Sequence, residues 1–148
     1  MKNIFNKEDN LEIINRINLL EPNATALWGK MSADQMLVHC NKAIEVARGE
    51  QDLKIGWGMR LLGKIMKKKA FSGPFRKNSP TAPEFIIKGN YNFEEEKKKL
   101  ISNFKDFALL GKDAIKIEVH PFWGKMSTED WNNLMYLHIN HHLEQFNV

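Results

Sequence analysis

The sequence holds a single cysteine, Cys40, so no intramolecular disulfide can form and nothing in it calls for an oxidising compartment. No apolar run approaches the roughly 18 residues that a membrane span needs. Met1 to Asn10 is polar and lacks the basic start and apolar stretch of a secretory signal, so a cytoplasmic location is the expectation. Acidic residues are missing from one long stretch: Lys54 to Pro83 contains eight Lys or Arg and no Asp or Glu. The net charge of +4 therefore divides into +8 in this stretch and −4 in the remainder. Such local basic character suits an anionic partner along one element and speaks against nucleic-acid binding by the chain as a whole.

What is present is enough for a core. The 148 residues are 43% hydrophobic, with nine Phe and four Trp, which fits one domain spanning residues 1–148. From Lys7 to Leu20, the residues Leu11, Ile14, Ile17 and Leu20, with Ile13, form the apolar stripe of an amphipathic helix that Pro22 and Asn23 end. Ser32 followed by Gln35 is a capping box, so a second helix starts there and runs to about Arg48, with Gly49 as its stop. Met36, His39, Ala43, Val46 and Ala47 line one side of it and Leu37 and Ile44 the other, which predicts burial on both sides.

A third helix is expected from Leu53 to Lys69, with Ile55, Met59, Leu62 and Met66 on one side; Gly56, Gly58 and Gly63 blur its limits, since each costs about 1 kcal/mol relative to Ala in a helix. Phe71 to Tyr91 carries Gly73, Pro74, Pro80, Pro83 and Gly89 and reads as a long, partly ordered loop held down by its aromatics. Asn92 caps a further helix in which Glu94 to Glu96 precede Lys97 to Lys99, an order matched to the helix dipole. Gly111 stops that helix, and Ala114 to Val119 alternates like a short extended segment.

The last helix, Trp131 to Phe146, holds three of the five histidines: His138, His141 and His142. At roughly 100° per residue, His138 and His142 share a face one turn apart, the spacing that lets two imidazoles hold one metal ion. Histidines on a core-facing stripe are costly unless hydrogen-bonded or metal-bound, so the pair is either a satisfied core pair or two metal ligands. His39, the only ionisable group amid an apolar helix face, supplies the third ligand that favours a metal. Both helices follow the same pentapeptide, Trp28-Gly29-Lys30-Met31-Ser32 and Trp123-Gly124-Lys125-Met126-Ser127. The histidine offsets from the tryptophans, 11 in one and 15 and 19 in the other, differ by about whole turns. Trp-Gly-Lys-Met-Ser is also, more simply, a good helix start with a packed Trp and a capping Ser.

The remaining candidates have ordinary alternatives. His141 sits one residue off the pair, at the rim of the face. His120 precedes Pro121 and either braces a loop or works near the site, and Cys40 reads as a small buried hydrophobe. Gln145 either hydrogen-bonds an imidazole or a metal-bound water, or is a polar helix end.

The tail Leu137-His138-Ile139-Asn140-His141-His142-Leu143-Glu144-Gln145 resembles the His-x-x-x-His-x-x-Gln signature of the DinB-like (YfiT-like) metalloenzyme superfamily, and Met36-Leu37-Val38-His39 resembles its upstream histidine segment. The paired Trp-Gly-Lys-Met-Ser stretches, His120-Pro121-Phe122 and the ending His142-Leu143-Glu144-Gln145-Phe146 resemble a bacterial branch of it known only as a domain of unknown function. The resemblance implies an all-α four-helix bundle with a long irregular loop, a water-accessible metal site of His39, His138 and His142, and a homodimer. It also implies hydrolysis or thiol transfer on a small molecule. Three neutral imidazoles with an open position suit zinc or nickel. His120, His141 and Glu118 are the candidates for a general base. Two other readings compete: a metal-stabilised bundle without catalysis, and an anion-binding module using Lys54 to Lys77, in which Trp57, Phe71 and Phe75 are interleaved with the cations.

Overall fold

The computed structural model describes residues 1–148 and is mostly helical, with five α-helices and one small hairpin. Helix α1, Lys7–Leu19, is capped by Asn6, whose side chain accepts from the Glu8 and Asp9 amides. Ile13, Ile14 and Ile17 face the core, whereas Leu11, expected in the same stripe, is exposed. Asn10 is buried and donates to the carbonyls of Ile4 and Phe104 at 2.6 and 2.7 Å, tying the N-terminal segment to the helix that carries Phe104.

Helix α2, Ala33–Ala47, is the middle of the molecule: Met36, Leu37, Val38, His39, Cys40, Ile44, Val46 and Ala47 are all buried, so both of its sides are covered. The Ser32 amide donates to Gln35 Oε1 at 3.2 Å, the return half of the capping box, and Gly49 leaves the helix at φ +70. Helix α4, Phe93–Leu110, buries Leu100, Phe104 and Phe107. A buried polar chain fastens it to α2: Asn103 donates to Asn41 Oδ1 at 3.0 Å, and Asn41 donates to Glu96 Oε2 at 2.8 Å. Both buried asparagines of this polar chain are thus paired, which is the condition for burying them without loss. Helix α5, Thr128–Gln145, starts three residues before the expected Trp131, because Ser127 and Asp130 form a complete capping box, both bonds at 3.0 Å. Helices α1 and α2 both pack on α4, and both also pack on α5. None of the helices is long and apolar enough to cross a membrane.

Two expectations are corrected. The extended segment lies later than Ala114 to Val119: Gly111–Ala114 is a turn of 3-10 helix, and the strand pairing is β1, Val119–His120, antiparallel to β2, Gly124–Lys125. The Lys116 backbone amide donates to the Ala47 carbonyl at 2.9 Å, so the alternation from Ala114 reflects docking on the end of α2 rather than a strand. Helix α3 begins at Trp57, not Leu53, and runs to Ala70. Its apolar residues do not enter the core; Met59, Leu62 and Met66 are all exposed. The side that meets the body is instead the one bearing Gly63, where a Cβ would run into the Phe122 carbonyl oxygen. Gly63 therefore trades helix propensity for close approach to the hairpin.

Candidate metal centre

Three side chains from two helices converge. His39 comes from the second turn of α2, and His138 and His142 come from successive turns of α5. One ring nitrogen of each lies within 4.8 Å of the other two. His39 Nε2 stands 2.9 Å from His138 Nε2, and the ring centroids of the three pairs are 4.7 to 4.9 Å apart. His39 and His142 are buried, and His138 keeps a partly exposed edge.

The outer bonds fix which nitrogens face inward. His39 Nδ1 is 3.1 Å from the Phe85 carbonyl oxygen, and since a carbonyl only accepts, Nδ1 carries the proton. His142 Nδ1 is 2.8 Å from Gln145 Oε1. The orientation of that amide follows from its other end, where Gln145 Nε2 donates to the Trp28 carbonyl at 2.6 Å. Two neutral imidazoles thereby present bare Nε2 atoms to the same small space. Second bonds of this kind hold metal-ligating histidines in tautomer and orientation.

Burial keeps the rings neutral. Loss of hydration pushes the His142 pKa down to about 3, and the neighbouring His39 adds to the effect. His39 is lowered chiefly by burial, against the Phe85 bond that raises it. His138 lies well below the usual histidine range, through burial first and then its two partners. Neutral imidazole is the form that binds a metal, so the donors stand in their binding state near pH 7.

Each outer partner is held by local sequence. The Phe85 carbonyl belongs to the second half of the loop, which α2 straps down at successive turns. Gln35 Nε2 donates to the Gly89 carbonyl at 2.9 Å, His39 to Phe85, and Lys42 Nζ to the Glu84 carbonyl at 3.3 Å. Asp34 adds a fourth tie, accepting from the Tyr91 amide at 2.8 Å. The Trp28 carbonyl reaches Gln145 because Gly29 sits at φ +81, and a Cβ there would come within 2.7 Å of Gln145 Nε2. The echo of this residue, Gly124, also has positive φ, +74, and takes the stem of Lys64 against its bare Cα. The repeated Trp-Gly thus has a packing reason in both places: a left-handed glycine against which another element lies. Gln145→Leu removes the His142 acceptor and leaves the Trp28 carbonyl unpaired. Affinity for zinc should fall by about 10- to 100-fold, with α-helical content retained, as read by competition with a chromogenic chelator.

Of the other candidates, His141 adjoins the triad, and His120, Glu118 and Cys40 serve elsewhere. The half-buried His141 packs edge-on to Trp28, centroids 5.5 Å apart, and lies 6.3 Å from Phe75; Lys77 Nζ sits 4.0 Å over the Trp28 ring. It forms a rim beside the triad, its ring centroid 5.1 Å from that of His142. His120 Nδ1 accepts from the Phe122 and Trp123 amides at 3.0 and 3.2 Å, bracing the hairpin turn, and burial lowers its pKa to about 4. Glu118 is exposed beside the hairpin, where its backbone carbonyl accepts from the Met126 amide. Cys40 is buried with Sγ 3.6 Å from Met36 Sδ, and burial raises its thiol pKa far from the thiolate range. Sequence reasoning missed the Phe85 and Trp28 carbonyls, because a backbone acceptor leaves no mark in residue type. Gly29, which the echo had marked, was the available signal for the second.

Together these features define a helical protein with a buried, neutral triad of imidazoles whose donor set is suited to a divalent transition metal. The chain belongs to a family described as a protein of unknown function, DUF1569, whose sequence model matches residues 3–148. A search of curated proteins and a search of solved structures each gave no match.

Proposed function

We propose that this protein is a metal-dependent enzyme, built on a DinB-like four-helix bundle of α1, α2, α4 and α5, which acts as a hydrolase or a thiol transferase on a small molecule. The observation that carries the reading is the pair of Nδ1 protons committed to Phe85 and Gln145, which leaves Nε2 of His39 and His142 unprotonated beside His138, with the His39 lone pair facing His138 Nε2. A core pair evolved only to satisfy itself has no need to aim two bare nitrogens at one point.

The donor set tests well for fit. Two nitrogens on one tetrahedral zinc at about 2.0–2.1 Å lie roughly 3.3 Å apart, a spacing bracketed by the 2.9 Å contact and the 4.8 Å limit of the triad. His39, His138 and His142 would hold the ion, zinc or nickel by ligand type. When bound, such an ion supplies Lewis acidity, which lowers the pKa of water or a thiol toward neutrality. The chain's own residues do the rest: Gln145 and the Phe85 carbonyl orient the donors, and Trp28 and Phe75 pack on His141 beside them. Of the general-base candidates, His141 is the one whose ring packs on a triad member; His120 and Glu118 sit at the hairpin. Homodimerisation belongs to the same reading.

Tagless protein prepared without chelators should carry close to one equivalent of zinc or nickel by plasma mass spectrometry. A panel of ester, amide and thiol-transfer substrates should show a rate that chelation removes and metal restores. Metal-free protein that gains no activity and no stability on addition of either ion would rule the proposal out.

A further inference from the structure

Helix α3 lies on the molecule with its apolar side turned outward. On a helical projection of roughly 100° per residue, Trp57, Leu61, Ile65 and Leu62 fall within an arc of about 140°. Gly63, which rests on the Phe122 backbone, points the opposite way. Trp57 is 84% exposed and Ile65 71%, with Leu61 and Leu62 also exposed. Polar side chains fill the inner side instead: Lys67 Nζ bonds the Lys125 carbonyl and Asp130 Oδ2, both at 2.8 Å, and the Lys64 stem lies against Gly124. These inner contacts fix which side of the helix faces out.

We infer that this face is a docking surface for a membrane carrying anionic lipid, on which α3 lies flat with Trp57, Leu61, Leu62 and Ile65 in the headgroup boundary. Charge selects this occupant. Lys68 and Lys69 close the C-terminal end of the apolar face, and no acidic residue occurs between Lys54 and Pro83. An apolar face carrying Trp and Leu, bordered by lysines, has the composition of an interfacial helix: the hydrocarbon groups sink in and the lysines meet phosphates. A second copy is the poorer fit, because a two-fold pairing of this face would bring like cations together with no anion on the element to meet them.

The test is co-sedimentation of the full chain with vesicles of phosphatidylcholine alone, or of phosphatidylcholine with phosphatidylglycerol, at about 0.15 M salt. The expected result is binding to the anionic vesicles at least about tenfold stronger than to the neutral ones, with a blue shift of tryptophan emission that Trp57→Phe removes. Lys68→Gln with Lys69→Gln should weaken binding roughly 25-fold, at about fivefold per cation. Ile65→Asp should weaken it by about tenfold or more, through lost apolar burial. These side chains are exposed, so the circular dichroism and thermal midpoint of each variant should match the wild type. Equal binding to both vesicle types, or none at this salt, would overturn the inference. So would a wild-type dimer in sedimentation equilibrium that Ile65→Asp converts to monomer, since that result assigns the face to a second copy.

Discussion

If the triad holds a metal as proposed, His39→Ala and His142→Ala should each lose stable binding, with affinity for zinc falling by more than the roughly hundredfold expected for an outer partner. The reasoning is geometric. His142 contributes one of the two Nε2 atoms left bare by an outer bond, and His39 contributes the other, along with the 2.9 Å contact to His138. With either gone, two imidazoles remain, and an ion held by two donors exchanges with buffer. The readout is thermal. A ligand at about a thousand times its Kd stabilises the folded state by about 4 kcal/mol, and for a chain of this size each kcal/mol moves Tm by roughly 2–4 °C. Wild-type protein should gain roughly 8–16 °C with zinc and each variant almost nothing. A histidine outside the triad gives the control: His120→Asn should retain the shift, because its Nδ1 serves the Phe122 and Trp123 amides.

The second large effect is acid lability of the metal-free protein. His142 titrates near 3 and His120 near 4, both depressed by burial, against the usual value of about 6.5. Between those values the unfolded chain binds protons that the folded chain refuses. Stability therefore rises with pH across this window: the contribution is fully present above about 6.5 and is lost as pH falls. Well inside the window, each such histidine costs about 1.4 kcal/mol per pH unit, so these two alone give a slope of roughly 3 kcal/mol per unit. His39 and His138, also lowered, act in the same direction. Urea midpoints between pH 7.5 and 5 should decline steeply, and His142→Leu should flatten part of the decline. A flat profile for the wild type would mean that the imidazoles are not enclosed as described. Protons and metal compete for the same nitrogens, so bound zinc should be released over the same acid range.

Much of this was legible from residue type and spacing. Caps placed α2 and α4, since Ser32 and Asn92 carry their own hydrogen-bonding chemistry, whereas the cap at Ser127 starts α5 three residues before the expected Trp131. The phase of His138 and His142 on one helix, with a lone His on another, identified which histidines the fold brings together. Three features were hidden. The strap from Glu84 to Tyr91 is held through backbone carbonyls and an amide, which any residue offers. The outward side of α3 was hidden because periodicity shows that an apolar stripe exists and not which way it faces; the decisive contact is the missing side chain of Gly63. The start of β1 was hidden because Ile115 and Ile117 alternate for reasons of docking beside Ala47 and Gly49, not of strand pairing.

The most direct test of the central claim is a crystal structure of the protein grown with zinc, with diffraction measured on either side of the zinc absorption edge. The account predicts one strong anomalous peak at about 2.0–2.1 Å from a ring nitrogen of each of His39, His138 and His142. A fully zinc-equilibrated crystal with no peak in the triad, and with His39 Nε2 still hydrogen-bonded to His138 Nε2, would contradict it.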